Sequence, residues 1–86
     1  MLVTVGIRTG PDAQICIEVE RPQHSSKAQQ SYPSKQQART VLFSFGIPYN
    51  ATDFYLKLLP EVGRTVLKFP PLEVPVQLLR DEGFML

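Results

Sequence analysis

The chain has 86 residues, of which 43% are hydrophobic and 20% charged, and its formal net charge at pH 7 is +1. This balance is typical of one folded domain, and it excludes an intrinsically disordered chain as well as a strongly basic or acidic one. The single cysteine, Cys16, excludes an internal disulfide, so we expect a reducing, cytoplasmic environment.

The first twenty residues predict a β-hairpin. Apolar residues alternate with polar or small ones in two runs, residues 3–8 and 13–20, so each run has one apolar face. Between the runs, Thr9-Gly10-Pro11-Asp12 has the composition of a turn in which glycine takes a positive φ. The apolar positions of the two runs are Val3, Val5, Ile7, Ala13, Ile15, Ile17 and Val19.

The next stretch is polar and free of acidic residues. Residues 21–37 contain no large aliphatic side chain, and Ser, Gln and Pro dominate them. This composition predicts that residues 21–34 form a flexible loop. The alternative is a nucleic-acid contact in which positive side chains bind phosphates and a tyrosine stacks on a base. The residues available for it are Arg21, Lys27, Tyr32, Lys35 and Arg39.

Two helices are predicted after this stretch. In the first, residues 35–45, apolar residues recur at helical spacing, Ser34 is the N-cap and Gly46 ends the helix in the left-handed conformation. The second lies within residues 52–63, where Pro60 is expected to stop or kink it. The apolar face expected for the second helix consists of Phe54, Tyr55, Leu58, Leu59 and Val62.

The last part of the chain predicts one more strand and a short helix. Residues 64–69 read as a strand that ends at two prolines. Residues 72–78 alternate as a strand would, but Pro75 suits the first turn of a helix, so we favour a helix over residues 76–82.

The elements together predict an α+β fold in a single domain, residues 1–86. It comprises the hairpin (1–20), the flexible loop (21–34) and a part with the helices, the third strand and a proline-rich C-terminal segment (35–86). The three strands are expected to pack against two helices. No run approaches the roughly 18 apolar residues of a membrane span, and no leader pattern opens the chain, so we expect no membrane partner.

No set of residues predicts catalysis or metal binding. His24 is the only histidine and lies in the expected loop, so neither a catalytic triad nor a histidine-based metal site has partners. Cys16 is expected on the outward face of its strand, where the charge of Glu18 would raise the thiol pKa. Glu18 and Glu20 share that face, where carboxylates usually provide solubility. We therefore expect no enzyme, no cofactor and no metal.

The apolar residues exceed what the core of so small a domain holds, so some are expected on the surface. The tail GFML, residues 83–86, either folds back on the core or docks into a second protein. We therefore predict a non-enzymatic interaction module, an accessory subunit or adaptor, that binds a protein partner or associates with itself; a weak nucleic-acid binder is the alternative. The expected protein-interface residues are Tyr49, Tyr55, Phe69, Phe84, Met85 and Leu86.

Overall fold

An antiparallel sheet is the base of the structure, which is a computed structural model of residues 1–86. The three long strands follow one another in the chain: β1 (Leu2–Thr9), β2 (Ile15–Arg21) and β3 (Ser26–Tyr32). Two short strands, β4 (Leu67–Lys68) and β5 (Leu72–Glu73), pair with the other side of β1. The sheet order is therefore β3-β2-β1, with β4 and β5 beyond β1.

Three helices complete the fold: α1 (Lys35–Ser44), α2 (Tyr49–Val62) and α3 (Val76–Asp81). The predicted α+β class, a hairpin and further strands packed against two main helices, is confirmed. No helix combines the length and the apolar character that crossing a bilayer requires.

The core lies between the sheet and the helices. The alternating apolar residues of β1 and β2 point to this side and are almost completely buried, as the pattern predicts. The helices and the C-terminal segment bury their own apolar residues against them. The core consists of Val3, Val5, Ile7, Ile15, Ile17, Val19, Ala38, Val41, Leu42, Phe45, Ile47, Leu56, Leu59, Phe69, Val74, Leu79 and Phe84.

The turn of the hairpin differs from the prediction. Gly10 has φ −97°, and the left-handed conformation falls instead on Asp12 (φ 55°) and Ala13 (φ 60°). Pro11, whose ring fixes φ at a negative value, begins the turn, and the aspartate that follows it tolerates the left-handed region. Ala13 therefore lies exposed in the turn and not on the apolar face of β2.

The prediction of a flexible loop at residues 21–34 is wrong. Within it, β3 pairs with β2 at seven consecutive positions, and only a short turn, with Ser25 at φ 53°, separates the two strands. The ladder is made of main-chain hydrogen bonds, so it does not require large apolar side chains. Alternate residues of β3 face the helices, and of these Ala28 and Tyr32 pack against the core.

Hydrogen exchange distinguishes this strand from a loop. In β3, amides that point to β2 should exchange at least about 100-fold more slowly than unprotected amides. The amides of Gln23 and Ser25, in the preceding turn, provide the unprotected reference. Fast exchange at every position from 26 to 32, measured by NMR, would contradict the strand.

The signals that bound α1 act as predicted. The Ser34 hydroxyl oxygen accepts a 3.2 Å hydrogen bond from the Gln37 amide, and Gly46 takes φ 99° after the helix. α3 likewise begins after Pro75 and is followed by Gly83 at φ 89°. In both helices, a glycine permits the left-handed residue that ends the helix.

Helix α2 departs from its prediction in two ways. It begins at Tyr49, three residues early, and it continues through Pro60 to Val62, because a proline in the last turn removes only one hydrogen bond. Its inward face is also different, since Leu56 is buried and Phe54 is 60% exposed.

A threonine explains the difference in the buried face of α2. Thr52 is fully buried, and its hydroxyl donates a 3.0 Å hydrogen bond to the Pro48 carbonyl. With its polar group satisfied, Thr52 joins Leu56 and Leu59 in one buried stripe at helical spacing. The positions of the apolar residues alone do not indicate this stripe, because its first residue, Thr52, is polar.

The strand predicted at 64–69 is reduced to two paired residues. Leu67 and Lys68 pair with Ile7 and Gly6 of β1, and the two strands approach each other closely there. A β-carbon on Gly6 would lie only 2.7 Å from Cγ1 of Val66, so any larger residue there would have to displace the Val66 side chain. The segment then ends at two prolines.

Candidate protein-interaction surface

The C-terminal tail folds back into the core. Phe84 is 1% exposed, and its ring meets that of Phe45 edge-on at 5.7 Å. The carbonyl of Gly83 accepts a 2.7 Å hydrogen bond from the Gln30 side chain of β3, which fixes the tail on the sheet. The expectation that Phe84 lies on the surface is therefore wrong, and only Met85, 81% exposed, projects into solvent.

The other expected interface residues are divided between core and surface. Phe69 is 4% exposed, so its expected place on the surface is also wrong. Tyr55 is half-buried, stacks on Phe69 at 4.0 Å and donates a 3.1 Å hydrogen bond to the Lys68 carbonyl. Leu86 packs partly against the core, whereas Tyr49 is 49% exposed.

Side chains from α1 and α2 pair on the outer side of the helical layer. Nε of Arg39 lies 2.7 Å from Oδ1 of Asp53. One turn along, the rings of Phe43 and Tyr49 stack with centroids 4.4 Å apart and planes 4° from parallel. We call these four residues the helical seam. Phe43 is 50% exposed, so the stacked pair is open to solvent on its outer side.

Spacing within the two helices creates the helical seam. Arg39 and Phe43 are four residues apart on α1, and Tyr49 and Asp53 are four apart on α2, so each pair lies on one side of its helix. The buried Ile47, 4% exposed, anchors the connection between the helices. A shallow groove of about 300 Å³ runs beside the seam and is lined by Gln36, Arg39, Thr40, Tyr49 and Asp53.

Positive charge lies at one end of the helical seam. Lys35 precedes Arg39 by one helical turn, and Lys57 follows Asp53 by one turn, so the two lysines continue the two rows. Both side chains are exposed. Arg39 is paired with Asp53, whereas neither lysine forms an ion pair, although Glu61 follows Lys57 by one further turn; the two lysines give the seam a positively charged end.

The residues expected to bind nucleic acid do not form one surface. Lys27 lies on the sheet face away from the helices, where Nζ is 3.1 Å from Oε1 of Glu18. Tyr32 faces the helices, and burial, with a smaller effect of the Glu82 charge, raises the pKa of Tyr32 to about 12. Arg39 lies in the helical seam, on the outer side of the helices. The sheet and the helical layer therefore separate it from Lys27. Lys27, Tyr32 and Arg39 thus do not form a common phosphate-binding surface. Of the other two residues, Arg21 ends β2 and Lys35 begins α1.

The outer face of the sheet contains a buried carboxylate. Glu18 is 6% exposed, and its two oxygens lie 3.0 Å from Nε of Arg8 and 3.1 Å from Nζ of Lys27. Burial opposes ionisation, but the bonds from Lys27 and Arg8 outweigh it and hold the pKa of Glu18 below its ordinary value. Glu18 is therefore a structural anion, and its role was not predictable because its partners lie on neighbouring strands.

Cys16 is on the outward register of β2, as predicted, but it is only 2% exposed. Burial raises the pKa of its thiol, against the opposing effect of Arg8. The thiol donates a hydrogen bond of 3.7 Å to Oε1 of Gln29. A protonated, covered thiol lacks the two properties of a reactive cysteine.

Comparison with known proteins identified no relative of this chain. The chain matches no protein family. It matches no curated protein and no solved structure. Within the structure, no three His, Cys, Asp or Glu side chains lie together in a way that would hold a metal ion. The function is therefore inferred from the geometry and chemistry of the surface.

A second concave feature is apolar. A groove of about 340 Å³ lies between the connection of α1 to α2 and the prolines that follow β4. The sequence indicates these prolines only as breaks in structure, so the groove was not predicted. It is lined by Gly46, Ile47, Pro48, Ala51, Phe69, Pro70, Pro71 and Leu72.

Proposed function

We propose that this chain is a non-enzymatic, cytoplasmic protein-interaction module, an accessory subunit or adaptor, that binds its partner through the helical seam. The observation that carries the proposal is the stacked pair of Phe43 and Tyr49, two aromatic rings about half exposed. Aromatic and arginine side chains are the residues that most often dominate binding energy at interfaces. The stack fixes both rings in advance, so little side-chain entropy is lost on binding.

The charges around the seam indicate the chemistry of the partner. Lys35 and Lys57 are exposed and have no carboxylate within 4.0 Å. A complementary segment would present carboxylates to these lysines and an apolar side chain to the aromatic pair. The partner we propose is therefore an acidic segment with an aromatic or large aliphatic residue.

The protonation and burial of two side chains, Glu18 and Cys16, support the non-enzymatic part of the proposal. The carboxylate of Glu18 is held ionised by two cations, so it is unsuited to act as a general acid. The Cys16 thiol is buried and its pKa is raised, so it is unsuited to act as a nucleophile.

A displayed library of random peptides tests the proposal with purified protein. Selection should enrich acidic peptides with an aromatic or aliphatic residue. The affinity of a selected peptide should fall at least about tenfold, or 1.4 kcal/mol, when Phe43 and Tyr49 are both replaced by serine. A double change, Lys35→Glu and Lys57→Glu, should have a comparable effect that is weaker at high salt. Fluorescence anisotropy measures each affinity.

Phe54→Ser is the matched control, since Phe54 is an even more exposed aromatic residue on the same helix. Its peptide affinity and the thermal midpoint should both stay near those of the unchanged protein. Equal binding by the Phe43→Ser/Tyr49→Ser variant would contradict the proposal. Retention of nucleic acid alone, with a slope near −3.6 in log affinity against log salt for about four phosphate contacts, would favour the alternative function instead.

A further inference from the structure

The sheet has one long open edge, formed by β3. β3 pairs with β2 on one side and with no strand on the other. Outside the ladder with β2, no backbone hydrogen bond involves residues 26–32, and no side chain bonds to their backbone. Every second residue of β3 therefore directs a free N–H and C=O outwards.

This edge lacks the features that usually prevent strands from pairing between molecules. β3 contains no proline, and its register with β2 runs through seven positions without a bulge. Lys27 is its only charged residue, and the Lys27 amine is drawn back over the sheet to Glu18, 3.1 Å away. Proline, bulges and outward-pointing lysines are the common protections of an edge strand.

The opposite edge is protected. There β4 and β5 have two residues each, and Pro70 and Pro71 separate them. Short strands and prolines leave little backbone for another strand to pair with. One edge of the sheet is thus protected and the other is not, and only β3 has a continuous row of free backbone groups.

We propose that two copies of this chain pair along β3, antiparallel, with Gln29 opposite Gln29 of the second copy. This register places Lys27 opposite Ser31 and Ala28 opposite Gln30, so no like charges meet. It also pairs outward-directed residues of one strand with outward-directed residues of the other, which forms about six to eight backbone hydrogen bonds.

The same register is compatible with the layers of the domain. Opposite residues of antiparallel strands point to the same face, so both helical layers lie on one side of a continuous sheet. On the inward face of β3, Ala28 of each copy then lies opposite Gln30 of the other copy, beneath the helices. The inference uses a different surface from the helical seam and does not depend on the proposed function.

The dimer is expected to be weak. An edge of seven residues buries less than the roughly 800 Å² per partner of a standard interface. For so short a contact we expect a dissociation constant of about 10 μM to 1 mM. Sedimentation velocity over this concentration range should therefore show a reversible shift from monomer to dimer.

Gln29→Glu is the decisive substitution. In the monomer Glu18 lies opposite position 29, but Arg8 bonds to both side chains, at 3.0 Å and 3.1 Å, so its positive charge offsets the added carboxylate. In the dimer two carboxylates would lie directly opposite, so the dissociation constant should rise at least about tenfold. Ser31→Glu is the matched control on the same strand, because its carboxylate would lie opposite Lys27 of the second copy and should preserve or strengthen the dimer.

Cross-linking provides a second readout, because it traps the dimer covalently. The native thiol of Cys16 lies 3.7 Å from the Gln29 side chain, so the test uses a Cys16→Ala background. There, Gln29→Cys should form a disulfide-linked dimer under mild oxidation, since the two sulfurs lie opposite each other. Gln23→Cys, in the exposed turn before β3, should link far more slowly. A monomer at all concentrations would overturn the proposal. So would a dimer that Gln29→Glu and Ser31→Glu affect equally, or equal cross-linking at positions 23 and 29.

Discussion

Replacing Phe84 by alanine is expected to lower the free energy of unfolding by about 3–5 kcal/mol. The side chain is 1% exposed, and its removal would leave a cavity next to Phe45 that the surrounding residues cannot fill. A domain of this length has a total stability of about 4–13 kcal/mol, so the variant should lose about a quarter or more of it, and its thermal midpoint should fall by at least about 10 °C. Urea unfolding, followed by circular dichroism, measures the difference.

Met85→Ala is the control for Phe84→Ala. Met85 is the next residue in the chain but is 81% exposed, so its replacement should change the free energy of unfolding by less than about 0.5 kcal/mol. Similar stabilities for the two variants would show that the tail is not part of the core. The result would then restore the docking interpretation of residues 83–86.

Replacing Glu18 by alanine is expected to cost about 2 kcal/mol at pH 7. The value is lower than for a fully buried ion pair, because Lys27 and Arg8 are partly exposed and regain water when the carboxylate is removed. Glu20→Ala is the control. Glu20 is less buried and 3.8 Å from Lys68, so its replacement should cost no more than about 1 kcal/mol.

Acid should abolish the difference between the unchanged protein and the Glu18→Ala variant. The pKa of Glu18 is lowered in the folded protein, so its ion pairs contribute fully above the unfolded value of about 4.3. That contribution is lost as the pH falls from this value through the folded pKa. Urea titrations at several pH values should show the two stability curves converging in acid, and a constant gap would contradict the ionic role of Glu18.

The elements that were predictable carry a strong local signal. The hairpin was predictable because apolar residues alternate on both β1 and β2, and α1 because Ser34 and Gly46 mark its two ends. Each signal depends on a few adjacent residues. The α+β class follows from these elements, since a two-stranded sheet needs a helical cover.

β3 was not predicted because it is stabilised by backbone hydrogen bonds to β2 and not by a pattern in its own sequence. Its inward residues, Ser26, Ala28, Gln30 and Tyr32, differ little in polarity from those between them, so no period is visible. The strand forms because β2 presents a complete row of main-chain groups. A sequence pattern reports side chains, so it does not detect a strand that is held by its backbone.

The candidate surface was predictable only in part. An excess of aromatic residues indicated exposure, and Tyr49 is indeed half exposed. The choice among aromatic residues failed for Phe69 and Phe84, because burial depends on how the chain returns to the core after α2 and α3. The pairing of Phe43 with Tyr49 requires the relative position of two helices, which spacing within either helix does not define.

The position of β1 at the centre of the sheet has a consequence for shortened forms of the chain. β1 is bonded on one side by β2, its neighbour in sequence, and on the other by β4 and β5, from the far end of the chain. A polypeptide that stops before Leu67 keeps the three-stranded meander but turns β1 into an edge. Unlike β3, that edge is rich in valine and isoleucine, a composition prone to aggregation. During synthesis the same edge stays open until Leu67–Glu73 has left the ribosome, so the last quarter of the chain protects the first strand.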